Sequence, residues 1–296
     1  MKKNVTITVT NDIITDNRMH KTELTLQNAG FNVKIIGINN RNSIKLSKPY
    51  KTKRLKLLFY KSWLFYANYN IFVFFYLLFS KVDILLSVDL DTLLANYLVA
   101  KIRRKKLIYD SHELFTELPE LVERPKIKAI WQKIEKSILP KIKHSYTVCQ
   151  SIANYYNQKY NISMSVVRNV PFSSNLELFS KNENPKIILY QGALNIGRGI
   201  EDMIEAMQYL ENFVFWIIGD GYHSNVLKKI VKQFGVEHKV FFLGKIQAEN
   251  LPQYPVQAHL GISYENNLGL NYYYALPNNI FDYIQAFVPV LCSNFT

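Results

Sequence analysis

The sequence predicts an α/β protein made of two doubly wound parallel-sheet domains in tandem. Three observations carry that prediction. Short runs rich in Val, Ile and Leu alternate with helical patterns through the first half, the order expected of parallel βαβ units. After VVRNVPF a polar stretch, SSNLELFSKNENP, intervenes, and the alternation then starts again. The charge balance changes at the same place. Residues 1–170 hold 28 Lys and Arg against 12 Asp and Glu, a net of +16, while the remainder holds 8 against 11, a net of −3. A chain of 296 residues is also long for one compact unit. The expected boundaries are an N-terminal domain over 1–172, a linker over 173–184 and a C-terminal domain over 185–296.

In chain order, VTITVT reads as the first strand and HKTELTLQNAG as a helix closed by Gly30. FNVKIIGI and VDILLSV are strands, followed by a helix from about Asp91 to Lys101. KKLIYD, the amphipathic RPKIKAIWQKIEKSILPKIK and SYTVCQ continue the alternation. That basic helix sets Ile127, Ile130, Trp131, Ile134, Ile138 and Ile142 near one face. In the second half KIILYQGA, FVFWIIGDG, KVFFLG, HLGISY and VPVLCS are strands, with helices from about Gly199 to Leu210 and after Gly221. The closing VPVLCSNFT is a strand whose following loop has just begun, so the C-terminal domain reads as incomplete.

Composition narrows the function classes. With 48% hydrophobic residues the chain can bury sizeable cores. Its two cysteines, Cys149 and Cys292, lie far apart in apolar runs and read as buried thiols in a reducing compartment. The N-terminus alternates apolar residues with Thr and reads as a strand, not a signal peptide. SWLFYANYNIFVFFYLLFS, residues 62–80, is uncharged over a membrane-spanning length, but its asparagines and tyrosines favour a buried or interfacial helix. A basic first half suits phosphate-bearing surfaces. Nucleic acid is not expected, since no basic stripe is joined to a recognition motif. A dinucleotide-dependent dehydrogenase is disfavoured because no GxGxxG follows the first strand.

Chemistry-bearing residues gather at predicted strand ends. YDSHE places Asp110, His112 and Glu113 where a strand gives way to a helix, either as a ligand site or as an ordinary cap. YQGALNIGRGIEDM sets Gly192 in a turn and Arg198 before a helix N-terminus, an arrangement suited to an anion or simply to a tight turn. Gly219 and Gly221 of IIGDG flank Asp220, whose carboxylate could equally cap a helix. Farther on, Glu265 ends a strand, Gly269 marks a turn, and Asn278 leads a helix carrying Asp282. Two carboxylates around one loop suit the vicinal hydroxyls of a ribose or hexose.

Taken together, YDSHE, YQGALNIGRGIEDMI, IIGDG, FFLG and LGLNYYYALPNNIFDYIQAFVPVL resemble glycosyltransferase family 4, and within it bacterial enzymes of surface-polysaccharide assembly. TNDIITDNRMHK and SVDLDTLL fit the same family, so the resemblance covers nearly the whole chain. It implies a GT-B fold, two Rossmann-like domains facing a central cleft. It also implies a hexosyltransferase-type enzyme that retains anomeric configuration and moves a sugar from a nucleotide-sugar donor to a glycan or lipid-linked acceptor. No metal or cofactor is expected. The resemblance assigns His112 and Glu265 as catalytic and Gly192, Arg198, Gly219, Gly221, Gly269, Asn278 and Asp282 to the donor, with Asp282 on the ribose. Asp16, Arg18, Asp110 and Glu113 fall on the acceptor side. Three positions depart from the pattern: Asn279 replaces a lysine, Phe287 a glycine, and Ala193 a second phosphate-binding arginine. These departures leave open an alternative, a non-catalytic relative that binds a sugar nucleotide or glycolipid as an assembly partner. Residues 62–80, KPYKTKRLK and the basic helix predict peripheral contact of the N-terminal domain with an anionic membrane, on its cytoplasmic face.

Overall fold

The computed structural model describes residues 2–13, 16–39, 51–173, 184–247 and 250–295. It divides into two compact units, Met1–Arg168 and Asn169–Thr296. Nearly all of the stretch expected as a linker, 173–184, lies outside the described residues, as do Lys48, Pro49 and Tyr50 of KPYKTKRLK.

The first unit runs β1 (Asn4–Thr8), α1 (Asn17–Asn28), β2 (Asn32–Ile38), β3 (Lys51–Leu55), α2 (Ser62–Phe79), β4 (Ile84–Val88), α3 (Asp89–Arg103), β5 (Lys106–Ser111), α4 (Pro119–Val122), α5 (Pro125–Ile138), β6 (His144–Thr147), α6 (Gln150–Tyr160) and β7 (Ser165–Val166). Its strands are parallel neighbours in the order β3-β2-β1-β4-β5-β6-β7. Both faces of a parallel sheet are covered by crossover helices, so successive strand residues feed opposite cores. Ile36 and Leu85 join Tyr69, Val73 and Leu77 of α2 on one face. Ile35 and Leu86 join Ile7 and Met19 on the other.

The second unit runs β8 (Lys186–Gln191), α7 (Ile200–Ala206), β9 (Phe213–Ile218), α8 (Ser224–Gln233), β10 (Val240–Gly244), β11 (Leu260–Ser263), α9 (Leu270–Tyr273), α10 (Asn278–Gln285) and β12 (Val290–Cys292). Its parallel order is β10-β9-β8-β11-β12. Ile188, Phe215 and Ile217 pack under Ile204 and Leu227, while Leu189 and Ile218 pack against Tyr283 and Ala286. In each sheet the chain order reverses once, between β1 and β4 and between β8 and β11. Crevices at such switch points, beyond the strand carboxyl ends, are where doubly wound sheets bind ligands.

Sequence and structure differ in several places. The apolar pattern does not predict β3, because KTKRL carries three cations; as the edge strand it keeps one side in water. Ile130 does not join the apolar face of α5 and is 61% exposed. The ring of Trp131, 5.2 Å from both Tyr66 and Phe115, fixes the helix rotation and turns its neighbour outward. Cys149 is buried, but Cys292, expected in the core, is exposed because β12 is also an edge strand.

Phe287 follows Ala286, the residue that caps α10, with φ 54 and is 76% exposed. The N–H of Val288 bonds back to Tyr283 O at 3.0 Å, so Phe287 holds the left-handed position after a helix that glycine normally fills. Its side chain contributes little burial to offset that strain. Phe287→Gly is therefore expected to stabilise the second unit by about 1 kcal/mol, read as a higher denaturant midpoint; a lower midpoint would mean the exposed ring carries packing that outweighs the strain.

Candidate functional site

In the first unit the sheet register sets Asp110 of β5 between Val88 of β4 and Tyr146 of β6. Asp110 is fully buried, and each carboxylate oxygen is occupied. Oδ1 accepts from Arg18 at 2.7 Å, while Oδ2 accepts from the Tyr146 hydroxyl at 3.0 Å and faces His112 Nε2 at 3.2 Å. Asp89, the first residue of α3, accepts from the backbone N–H of His112 at 2.8 Å and lies 3.6 Å from His112 Nδ1. Asp89 holds φ 55, a conformation Asp tolerates better than most residues, and its contacts to His112 anchor it there. The Asp16 carboxylate accepts from Met19 N at 3.0 Å and caps α1, which directs Arg18 toward Asp110. Neither Asp110 nor Glu113 caps the following turn, Phe115–Glu117; the Glu113 carbonyl instead accepts from Ser111 Oγ at 2.9 Å.

Burial disfavours every charge in this cluster, and the neighbours decide the outcome. For Asp110, burial is outweighed by His112, Arg18 and the Tyr146 hydroxyl, which hold its carboxyl below the usual range. For His112, burial opposes the cation, but Asp89 and Asp110 outweigh it and raise the imidazole. Asp91, two residues beyond Asp89 on α3, accepts from Thr10 Oγ1 at 2.6 Å. Burial, followed by the charge of Asp89, pushes it up to about 7. Burial also raises Asp89, though His112 opposes it. The result is a row of Asp89, His112 and Asp110 beside an acid, Asp91, that is largely protonated below neutral pH.

In the second unit Arg198 and Glu265, predicted for the diphosphate and the donor sugar, form a direct ion pair. The Arg198 guanidinium also lies over the Tyr272 ring, 4.8 Å from its centre. Glu265 is 5% exposed, and burial raises its carboxyl despite Arg198. Gln191, at the end of β8, donates to Asp282 Oδ2 at 2.6 Å. Asn279, where relatives carry lysine, donates to Gln191 O at 3.2 Å and Ile262 O at 3.4 Å and accepts from Ser263 Oγ at 2.9 Å. Its amide thus braces the ends of β8 and β11. Asn278 and Gly192 are exposed, and Gly269 precedes α9 with φ 136.

The glycines of IIGDG have a packing reason of their own. A Cβ on Gly219 would collide with the Gly192 carbonyl, and one on Gly221 with the Leu194 carbonyl. The loops after β8 and β9 are laced together by Leu194 N to Asp220 O and His223 N to Leu194 O, both 3.1 Å. Asp220 accepts from Gly221 N and Ser224 Oγ within this turn.

Sequence reasoning did not single out Asp89, Tyr146, Gln191 or Tyr272. Asp89 was within reach, since SVD ends a strand as IYD does and adjacent parallel strands align their ends. Tyr146 and Tyr272 depend on register and loop packing. Among the described residues, no group of three or more His, Cys, Asp or Glu is arranged to hold a metal ion.

Residues 175–295 match the family described as glycosyl transferases group 1. Over 96 residues the chain is 30% identical to an uncharacterised glycosyltransferase of Methanocaldococcus jannaschii; that match spans 31% of this chain and 24% of the relative. Among solved structures it resembles a sucrose-phosphate synthase of Thermosynechococcus elongatus, with a TM-score of 0.74, 17% identity and coverage of 99% of this chain and 82% of the other. It also resembles HepE of Anabaena in complex with UDP-glucose, with a TM-score of 0.73, 12% identity and coverage of 98% and 80%. At these identities the structural likeness establishes the fold, the two-domain Rossmann-like GT-B architecture.

Two outcomes follow from the site electrostatics. Arg198→Ala leaves a buried carboxylate without its cation and should cost about 2–3 kcal/mol; Arg198→Ala/Glu265→Gln should recover at least about 1 kcal/mol in urea unfolding, and no recovery would mean the pair is not coupled. In the first unit the proton balance sets the pH dependence. Folded Asp91 keeps a proton between about pH 4 and 7 that the unfolded chain releases, so stability falls with rising pH by up to about 1.4 kcal/mol per unit. His112, with its pKa raised, contributes most below its ordinary value of about 6.5 and loses that contribution as pH rises through its folded value. Asp110 acts oppositely, losing its contribution as pH falls through its lowered value. The unfolding midpoint of this unit should therefore decline from pH 5 to 8, and Asp91→Asn should flatten the decline below pH 7; parallel profiles would refute the assignment.

Proposed function

We propose that this chain, whose residues 175–295 match the glycosyl transferases group 1 family, transfers a sugar from a nucleotide-sugar donor to a glycan or lipid-linked acceptor of cell-surface polysaccharide assembly. Configuration at the anomeric carbon is retained. The observation that carries the proposal is the pair of contacts at the β8–β11 switch point, Arg198 with Glu265 and Gln191 with Asp282, beside glycine turns. The motif LGLNYYYALPNNIFDYIQAFVPVL supports the surface-polysaccharide class, and the likeness to HepE, described with UDP-glucose, supports a nucleotide-sugar donor.

In this reading Arg198 exchanges or shares Glu265 for the donor diphosphate and stabilises the charge that grows on the leaving phosphate. Preorganisation against Tyr272 means little side-chain entropy is lost on binding. Asp282, held by Gln191, accepts hydrogen bonds from the ribose hydroxyls. Glu265, partly released from Arg198, is available to sugar hydroxyls. His112, its imidazole raised by Asp89 and Asp110, donates to a sugar hydroxyl, while Arg18 and Asp110 shape the acceptor side. The nucleotide leaves from the anomeric carbon, the acceptor oxygen bonds on the same face, and the departing phosphate takes the acceptor proton. No protein nucleophile is required.

A thermal-shift panel of UDP-, GDP- and ADP-sugars tests this. A matching donor at a hundred times its Kd should stabilise the chain by about 2.7 kcal/mol. Arg198→Ala and Asp282→Asn should each weaken that donor at least about tenfold, and product NMR should show a retained anomer. Absence of a shift with every donor, or an unchanged shift in Arg198→Ala, would overturn the proposal, and donor binding without turnover would convert the protein to a sugar-nucleotide binder.

A further inference from the structure

The helix α2 is long and apolar enough to cross a membrane, yet only 22% of it is buried in the fold. Its inner side is locked in place. Tyr69, Val73 and Leu77 are fully buried in the core shared with α3. The Tyr69 hydroxyl donates to Val9 O at 2.7 Å, and Asn70 donates to Asp91 O at 2.7 Å while accepting from Ala95 N at 3.2 Å. Withdrawing this helix to span a bilayer would strip the sheet of its cover and orphan those groups, so α2 stays in the fold. Its outer side is nevertheless bare: Ile71, Phe72, Phe75 and Phe79 are exposed, Phe79 at 82%.

Beside that stripe lies a groove of about 1010 Å³ between α2 and the edge strand β3. Its cations are Lys34, Lys53, Arg54, Lys56 and Lys81, and among the described residues no carboxylate lines it. The Lys34 ammonium donates to the Tyr76 hydroxyl at 3.1 Å, and Arg54 lies 3.5 Å from Asp12. Lysines on an edge strand have a mundane use in blocking strand addition. That use does not account for aromatic side chains left in water on the adjoining helix. Apolar side chains flanked by cations are the signature of a helix that lies in a bilayer interface.

We propose that the outer face of α2 together with β3 is a docking surface for an anionic bilayer. Headgroup phosphates seat in the lysine groove, and Phe72, Phe75 and Phe79 enter the boundary between headgroups and acyl chains. The basic helix α5 takes no part. Its Trp131 and Ile138 are buried, Lys128 is paired with Glu117 at 2.7 Å, and Ile130 alone among its isoleucines stands exposed. The proposal is independent of sugar transfer, since its readout contains no sugar, and either can fail without the other.

Flotation of the full chain with phosphatidylcholine vesicles, with and without phosphatidylglycerol, tests it. Binding should require the anionic lipid and weaken with salt. At about 1 kcal/mol per lysine, Lys53→Ser/Lys56→Ser/Lys81→Ser should weaken it about a hundredfold. Phe75→Ser/Phe79→Ser should release the protein while keeping its unfolding midpoint, and Ile130→Ser should bind like the parent. Should a variant misfold, Trp63, which is 67% exposed at the start of α2, supplies a readout in the unmodified protein: brominated anionic lipid should quench it. Failure to bind, binding indifferent to lipid charge, or unchanged binding by both multiple variants would overturn the proposal. Concentration-dependent dimerisation abolished by Phe75→Ser/Phe79→Ser without vesicle binding would assign the face to a second copy instead.

Discussion

A parallel sheet has to be covered on both faces, and each connection between its strands must cross over to do so. That constraint organises both units. It drives the apolar runs of β1, β4, β8 and β9 into paired cores and sends every turn that follows a strand to the same edge of its sheet. The polar residues the chain cannot bury among Ile, Val and Leu therefore collect at the carboxyl ends. Asp89, Asp110 and His112 stand at one such edge and Gln191 and Glu265 at the other. A site of this kind needs no long-range folding code beyond strand order.

Charges gathered at a strand end are only partly solvated, and the two units handle this differently. The first spreads compensation over a row: Arg18, His112 and Tyr146 hold Asp110 as a carboxylate, while nearby Asp91, given a hydroxyl in place of a cation, tends to keep its proton. The second concentrates it in the single pair of Arg198 with Glu265, backed by the Tyr272 ring. A row resists loss of any one member, whereas a single pair can be exchanged for an incoming anion. Under the proposed function, this contrast suits a fixed polar wall in one unit and an exchangeable diphosphate site in the other.

Departures from family expectation acquire physical content from the packing. Asn279 is a brace between two strand ends, a role its short amide fills with three hydrogen bonds. Phe287 occupies a left-handed position at visible conformational cost. The glycines of IIGDG are required by the close approach of two backbone turns, whatever they bind. Residue identity alone could not separate these reasons, because a glycine that makes room for a phosphate and one that makes room for a carbonyl look alike in sequence.

From the residues alone came the two α/β domains, the β-branched strands, the divided charge, the grouping of Asp110, His112, Arg198 and Glu265 near strand ends, and Asp282 on the helix that follows. These depend on local periodicity and composition, which a sequence displays directly. Tertiary structure alone decided that Arg198 pairs with Glu265, that Asp89 and Tyr146 complete the His112 cluster, that Ile130 and Cys292 face outward, and that α2 keeps one side bare beside a lysine-lined edge. Those outcomes rest on register, helix rotation and contacts between residues as many as 92 positions apart in sequence, such as Arg18 and Asp110. Such distances are set only when the crossovers have closed, so no local pattern can carry them.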